Sequence, residues 1–128
     1  MLIMVTCIYR STEYAVDMHE PTFLILTSLA EGRKHGYALI SDAAELSDGR
    51  VALKVGTLYA ALDRLAREGL ISAAGEEIAD GRLRRYYELT GEGQRQLAEE
   101  AARMAELAKR ATARLRAIRT IATRVVSA

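Results

Sequence analysis

The sequence predicts a mainly α-helical protein with a small two-stranded β-hairpin and a long C-terminal helix. Three observations support this fold class. Apolar residues repeat at helical spacing in three short segments after Glu20. An Asp-Gly pair at residues 80–81 follows these segments, and such a pair is a strong signal for a tight hairpin turn. The last third of the chain then keeps an unbroken apolar heptad pattern.

The composition fits a small, ordered protein. A length of 128 residues allows one domain, or one small domain with an appendage. Half of the residues are hydrophobic, 27% are charged, the net charge is only +1 and there is a single proline. Leu and Ala dominate the apolar set and Trp is absent, so we expect a small aliphatic core that favours association into an oligomer.

Several function classes find no support in the sequence. Cys7 is the only cysteine, and neither His19 nor His35 belongs to a metal-binding spacing, so we expect no disulfide, no metal site and no cofactor. No phosphate-binding loop, nucleophile elbow or paired acid and base motif is present, so we expect no enzyme. The cysteine usage fits a reducing, cytoplasmic location.

Residues 1–17 differ from the rest of the chain. Residues 1–9 are apolar, but the run is too short to span a bilayer and lacks the basic start and small-residue cleavage site of a signal peptide. Three interpretations stay open for this leader. It is an extra helix or strand, a frayed tail, or the product of an upstream start codon with Met18 as the true beginning.

Three short helices are expected next. Pro21 suits the first position of a helix that Gly32 ends, and the second helix runs from Tyr37 to the Asp48-Gly49 pair. Residues 51–53 form a brief β-like stretch. A third helix opens at residues 56–57 and stops at Gly69.

A β-hairpin follows the third helix. Residues 70–76 and 83–89 are strand candidates joined through Asp80 and Gly81. Because side chains alternate along a strand, Tyr87 shares one face with Leu89, and Tyr86 lies on the other. Leu89 is expected to point into the core, which takes Tyr87 with it and leaves Tyr86 outward.

The final helix is expected to begin after a Thr90 cap and to run to about residue 125. Its apolar residues are spaced alternately by four and three positions. They are Leu97, Ala101, Met104, Ala108, Ala111, Leu115, Ile118, Ala122 and Val125. This heptad seam predicts dimerisation through the helix, although a single amphipathic helix lying on its own domain is the alternative.

The order of elements is that of a winged helix-turn-helix at residues 18–90, followed by a dimerisation helix at residues 91–128. In this fold the third helix enters the DNA major groove and the hairpin, or wing, lies along the flanking backbone. Side chains at these positions are candidates for DNA contact. They are Lys34, His35, Tyr37, Lys54, Thr57, Tyr59, Arg64, Arg82, Arg84 and Arg85.

The wing arginines have a second explanation. Charged residues on a strand edge also prevent edge-to-edge pairing, and Arg85 shares a strand face with Tyr87, so its role is the least certain of the three. In the same way His35 could cap a turn, Tyr37 could be half core, and Arg64 could pair with a carboxylate on a solvated face. The joint position of these residues on one expected surface favours DNA contact.

An ordered set of short motifs resembles the PadR-type transcriptional regulators over about residues 20 to 120. The motifs are His35-Gly36-Tyr37, Gly56-Thr57-Leu58-Tyr59, Leu62-Asp63-Arg64-Leu65, Glu68-Gly69-Leu70-Ile71, and Gly81-Arg82 with residues 85–90. The resemblance implies a bacterial repressor that dimerises through its C-terminal helix and binds a palindromic operator. It also implies release from DNA by a small aromatic or drug-like effector in several relatives.

Two departures from the family pattern stand out. Val55 occupies a position where relatives often have proline, and the long helix offers no tryptophan for an aromatic stacking platform. A protein-interaction module that uses the same fold, with its basic hairpin on an acidic protein, is the alternative function. Residues 56–59, at the start of the third helix, favour DNA over this alternative.

Overall fold

A computed structural model describes residues 19–127 of the chain, so the predicted leader at residues 1–17 lies outside the described residues. Within these residues, four helices and three strands follow one another. They are α1 Glu20–Leu29, β1 Lys34–His35, α2 Gly36–Leu46, α3 Val55–Arg67, β2 Ile71–Ala79, β3 Arg82–Leu89 and α4 Gly91–Ser127. This architecture confirms the predicted fold class of a mainly helical protein with a small antiparallel sheet and a long C-terminal helix.

The chain forms two compact units. The first ends at Leu97 and contains the three short helices, the sheet and the start of α4, and the second begins at Ala98 and contains the rest of α4. The domain limits of 18–90 and 91–128 stay predictions. Leu97, which the sequence assigned to the dimer seam, packs in a partly buried position against the core of its own unit.

An aliphatic core holds the first unit together. The most deeply buried hydrophobic side chains come from α1, α2 and α3, and are Ile25, Leu26, Leu39, Leu58, Leu62 and Leu65. Tyr87 and Leu89 of β3 are partly buried against this core. The prediction that these two residues hold the wing onto the helices is therefore confirmed.

The sheet has the strand order β1-β3-β2, with both pairings antiparallel. Asp80 and Gly81 have φ values of 53° and 74°, and Ala79 pairs with Arg82 across them. Two consecutive residues with positive φ in a two-residue loop are typical of a type I′ turn, whose twist matches that of the flanking strands. The predicted hairpin turn is confirmed.

Three details of the strands differ from the sequence prediction. Strand β1 lies between the two helices predicted to end at Gly32 and begin at Tyr37, where no strand was predicted, and its two residues pair with Tyr86 and Tyr87. Strand β2 extends to Ala79, with an extra residue beside Gly75, where φ is 101°. The prediction of a β-like stretch at residues 51–53 was wrong, because these residues belong to no strand. The backbone N–H of Val51 donates to the Ser47 hydroxyl at 2.9 Å.

Helix α4 begins against the end of α3. The Thr90 hydroxyl accepts a hydrogen bond from the Gly93 N–H at 3.0 Å and donates to the Gly69 carbonyl at 2.6 Å, so Thr90 is the predicted helix cap. The Leu70 carbonyl accepts the Thr90 N–H at 3.1 Å. A Cβ atom on Gly93 would lie 2.0 Å from that carbonyl oxygen. Only glycine therefore fits this junction.

Replacement of Gly93 by alanine should lower the free energy of unfolding by about 1–3 kcal/mol, because the new methyl group must displace the Leu70 backbone. Gly91→Ala is the matched control, since a Cβ atom there meets nothing within 4 Å. Urea denaturation of both variants measures the difference. Equal stability of the two variants would contradict the close approach at Gly93.

Candidate nucleic-acid interface

Helix α3 has one buried and one exposed face. Leu58, Leu62 and Leu65 point into the core, whereas Thr57 and Tyr59 are exposed near the helix start. Lys54 is the residue that precedes the first turn, and its own side chain makes no capping hydrogen bond there. The N-cap residue therefore leaves the first N–H groups of α3 uncapped, and such groups are suited to an anion.

A cleft of about 460 Å³ extends from Tyr59 of α3 to the wing. Its walls include six of the ten residues predicted to contact DNA. They are His35, Tyr37, Tyr59, Arg82, Arg84 and Arg85. The remaining wall residues are Gly36, Ala79, Asp80 and Leu83. The cleft wall therefore includes both tyrosines, the histidine and all three wing arginines. Because side chains alternate along β3, Arg84 shares a strand face with Tyr86, whereas Arg85 shares the opposite face with Tyr87.

The two tyrosines of the cleft are available to solvent. Tyr37 at the start of α2 is 61% exposed and Tyr59 on α3 is 42% exposed. The Tyr59 ring passes over Gly36, and its hydroxyl oxygen would lie 2.9 Å from a Cβ atom added there. The buried glycine at the start of α2 therefore leaves the space that Tyr59 occupies. The sequence showed the His35-Gly36-Tyr37 motif, but not the residue that it accommodates.

The wing arginines differ in their partners. Arg84 Nη2 lies 3.8 Å from an Asp80 carboxylate oxygen, and Arg85 Nε lies 3.5 Å from one of Glu76. Both pairs are solvent-exposed, and exposed pairs of this kind contribute about 0–1 kcal/mol. Arg82 is exposed beside the turn. The guanidinium groups of Arg84 and Arg85 can therefore exchange these carboxylates for phosphate oxygens at little cost.

Tyr86 lies at the centre of a cluster on the other face of β3. Its hydroxyl donates to Glu77 at 2.7 Å, and this hydrogen bond, together with burial, raises the Tyr86 pKa above its usual value. The Arg33 guanidinium lies 4.6 Å from the centre of its ring, and the His35 ring is perpendicular to it, with 5.5 Å between the two ring centres. Arg33 also donates to the Ala74 carbonyl at 3.0 Å. Arg33 had not been singled out, because its partners come from distant strands.

His35 combines a structural and a possible binding role. It pairs with Tyr86 in the sheet, precedes the first turn of α2, and borders the cleft. Its Nδ1 atom is buried and has no hydrogen-bond partner within the described part of the chain. His35 therefore packs against Tyr86 and also borders the cleft.

Lys34 lies outside the cleft and is bound to carboxylates. Its ammonium donates to Asp42, to Glu31 at 2.7 Å and to the Ser28 hydroxyl at 3.3 Å. Burial alone would lower the pKa of Lys34, but the hydrogen bonds to Asp42 and Glu31 outweigh it and raise the pKa. The pKa of Asp42 is lowered by hydrogen bonds, first from Lys34 and then from Ser28.

The other three predicted contacts also lie outside the cleft. Arg64 donates to the Thr22 hydroxyl at 2.7 Å and lies 3.9 Å from a Glu68 oxygen, so it joins α3 to α1. Lys54 and Thr57 are exposed at the start of α3. For all ten side chains, contact with DNA stays a prediction.

The second unit presents apolar side chains to solvent along α4. Leu115 is 60% exposed and Ile118 is 62% exposed, and both belong to the predicted heptad seam. Within residues 19–127 no helix is long and apolar enough to cross a membrane. The same residues contain no group of three or more His, Cys, Asp or Glu side chains arranged to hold a metal ion.

The first unit is a winged helix-turn-helix, the class of fold that the three short helices and the β-hairpin define. Residues 25–99 match the Transcriptional regulator PadR-like family, and the chain belongs to that family. The transcriptional regulator Rv3488 of Mycobacterium tuberculosis is 36% identical over 95 residues, which cover 74% of this chain and 80% of that protein. The resemblance drawn from the sequence motifs is confirmed.

Solved structures agree with this assignment. A PadR family transcription regulator from Clostridium difficile is similar with a TM-score of 0.61 at 28% identity, covering 76% of this chain and 99% of that one. Bacillus subtilis PadR, whose structure was solved in complex with operator DNA, is similar with a TM-score of 0.56 at 26% identity. That match covers 64% of this chain and 46% of the Bacillus protein.

Replacement of Gly36 by alanine should destabilise the first unit by about 1–3 kcal/mol, because the new methyl group meets the Tyr59 hydroxyl. In a Tyr59→Phe background the cost should be smaller, with a coupling of at least about 0.5 kcal/mol in a double-mutant cycle. Urea denaturation gives all four stabilities. Gly56→Ala is the control, since a Cβ atom there meets nothing within 4 Å. Additive effects of the two substitutions would exclude the proposed contact.

Proposed function

We propose that this protein is a homodimeric, sequence-specific DNA-binding regulator that represses transcription from a palindromic operator. The observation that supports this proposal best is the cleft in which Tyr59 of α3 lies beside the wing residues Arg82, Arg84 and Arg85. A recognition helix and a charged wing on one surface can contact base edges and backbone together. The operator complex of Bacillus subtilis PadR supports the same class of partner.

In this proposal each part of the surface has a separate task. Helix α3 enters the major groove, where Thr57 and Tyr59 reach base edges, and its uncapped first turn binds a phosphate together with Lys54. The wing arginines contact the flanking phosphates, which fixes the register but carries no sequence information. His35 and Tyr37 contact the backbone from the start of α2.

The proposed dimer joins two such surfaces. The exposed residues of the α4 seam, including Met104, Leu115 and Ile118, would be covered by the α4 of a second copy. A dimer with two-fold symmetry reads two half-sites related by the same symmetry, which is why a palindrome is expected. We further propose that a small aromatic or drug-like effector releases the protein from DNA in the cytoplasm.

Selection of bound DNA from a random pool tests the function directly. We expect recovery of an inverted repeat. The logarithm of the association constant for this repeat should fall with the logarithm of the salt concentration at a slope of about −7, for about eight phosphate contacts. Replacing Arg84 and Arg85 together by alanine should weaken binding to operator and random duplex alike and reduce the slope. Tyr59→Ala should also reduce the preference for the operator.

The double replacement of Arg116 and Arg119 by alanine is the matched control. It removes the same charge from exposed positions of α4 that the proposal does not assign to DNA. Binding that does not depend on salt, or no preference for an inverted repeat, would overturn the proposal. A stoichiometric protein partner, with no DNA shift at low salt, would favour the interaction module instead.

Leu115→Glu should convert the proposed dimer to a monomer at micromolar concentration, because it buries an unpaired charge in the seam. Met104→Glu should act in the same way. Ala113→Glu, on the opposite side of the helix, introduces the same charge and should leave the dimer intact. Light scattering measures the mass of each variant, and a monomeric wild-type protein would refute the dimer.

A further inference from the structure

Strand β1 connects the wing to the helices. Its backbone pairs with β3, with Lys34 opposite Tyr87 and His35 opposite Tyr86. Helix α2 begins at the next residue, Gly36. The direction in which β3 leaves the helical body therefore depends on how β1 is held.

Hydrogen bonds of the Lys34 side chain connect β1 to the helices. Only 17% of it is exposed, and its ammonium donates to Glu31 after α1, to Ser28 on α1 and to Asp42 on α2. Ser28 is buried and donates its own hydroxyl hydrogen to Asp42 at 2.7 Å. An ammonium has three donors, so these three oxygen acceptors account for all of them.

We infer that Lys34 is a positioning residue, which sets the wing relative to α2 and α3 and does not bind a DNA phosphate. To reach a phosphate, the mostly buried Lys34 side chain would have to leave the carboxylates of Asp42 and of the exposed Glu31. Loss of Asp42 would instead leave β1 less firmly attached and allow the wing to shift away from Tyr59. This inference rests on the proposed DNA-binding function.

The substitution Asp42→Asn separates the two roles, since they predict opposite changes. If Lys34 were a phosphate contact, removal of its carboxylate partner would free the ammonium, and binding would stay equal or strengthen. If Lys34 positions the wing, operator affinity should fall about tenfold, within the range by which residues outside a binding site alter it. The preference for operator over random duplex should fall with it.

Glu45→Gln is the matched control on the same helix. It removes one carboxylate charge from an exposed position of α2, so any general effect of charge on DNA binding appears in both variants. We expect operator affinity of this control to equal or exceed that of the wild-type protein. Binding is measured where urea denaturation shows each variant to be fully folded.

Lys34→Met provides a second, independent test through the salt dependence. A positioning role predicts weaker operator binding with an unchanged salt slope, whereas a lost phosphate contact reduces the slope by about one per protomer. A reduced slope for Lys34→Met, or unchanged or stronger operator binding by Asp42→Asn, would overturn the inference. This second variant decides the question if Asp42→Asn does not fold.

Hydrogen–deuterium exchange reports on the same attachment without DNA. Asp42→Asn should speed exchange in peptides that cover β1 and β3, whereas peptides from α3 should keep wild-type protection. If the wild-type protein binds no DNA, the proposed function is wrong. The exchange experiment then still tests whether Lys34 holds the wing in place. Faster exchange in every peptide, or in none, would contradict a positioning role.

Discussion

The pairing of β1 with β3 is the contact on which the recognition surface depends. A two-stranded hairpin alone is marginally stable in water, and β1 supplies the third strand. Because α2 starts at Gly36, directly after β1, this pairing also fixes the start of α2 against the middle of the wing. Gly36 in turn leaves room for Tyr59. Two paired residues therefore bring the start of α2, Tyr59 of α3 and the wing arginines to one cleft.

Charge on the wing is more balanced than its arginines suggest. The register of the sheet sets Glu76 opposite Arg85 and Glu77 opposite Arg84, so acidic residues of β2 face basic residues of β3. The hairpin is thus not a simple cationic arm, and long-range attraction to DNA is weaker than three arginines alone would give. Its value for binding would come from geometry, because exposed ion pairs exchange readily for phosphate contacts once the wing is close to the backbone.

Patterns among neighbouring residues predicted the fold well, whereas contacts between residues far apart in the sequence were missed. The Asp80-Gly81 turn and the inward position of Tyr87 follow from turn chemistry and from the alternation of side chains along a strand, so both could be read from neighbouring residues. Strand β1 has only two residues and pairs with a segment about fifty positions away, and no local pattern reveals such a pairing. The Thr22 partner of Arg64 lies 42 positions away and could not be foreseen for the same reason. The partners of Lys34 lie within eight positions, but they belong to different elements, so no single helical or strand pattern relates them.

The apolar face of α4 is wider than the seam that the heptad spacing indicated. Exposed Leu107 and Ile121 belong to a third column of the helix, in which Arg114 is the intervening residue. A strict two-stranded coiled coil covers two columns, whereas three apolar columns are typical of a helix that packs into a globular core. At the other end, Leu97 is used by the core of the first unit. For the proposed dimer, the partner surface must therefore be broader than one helix and must begin after Leu97.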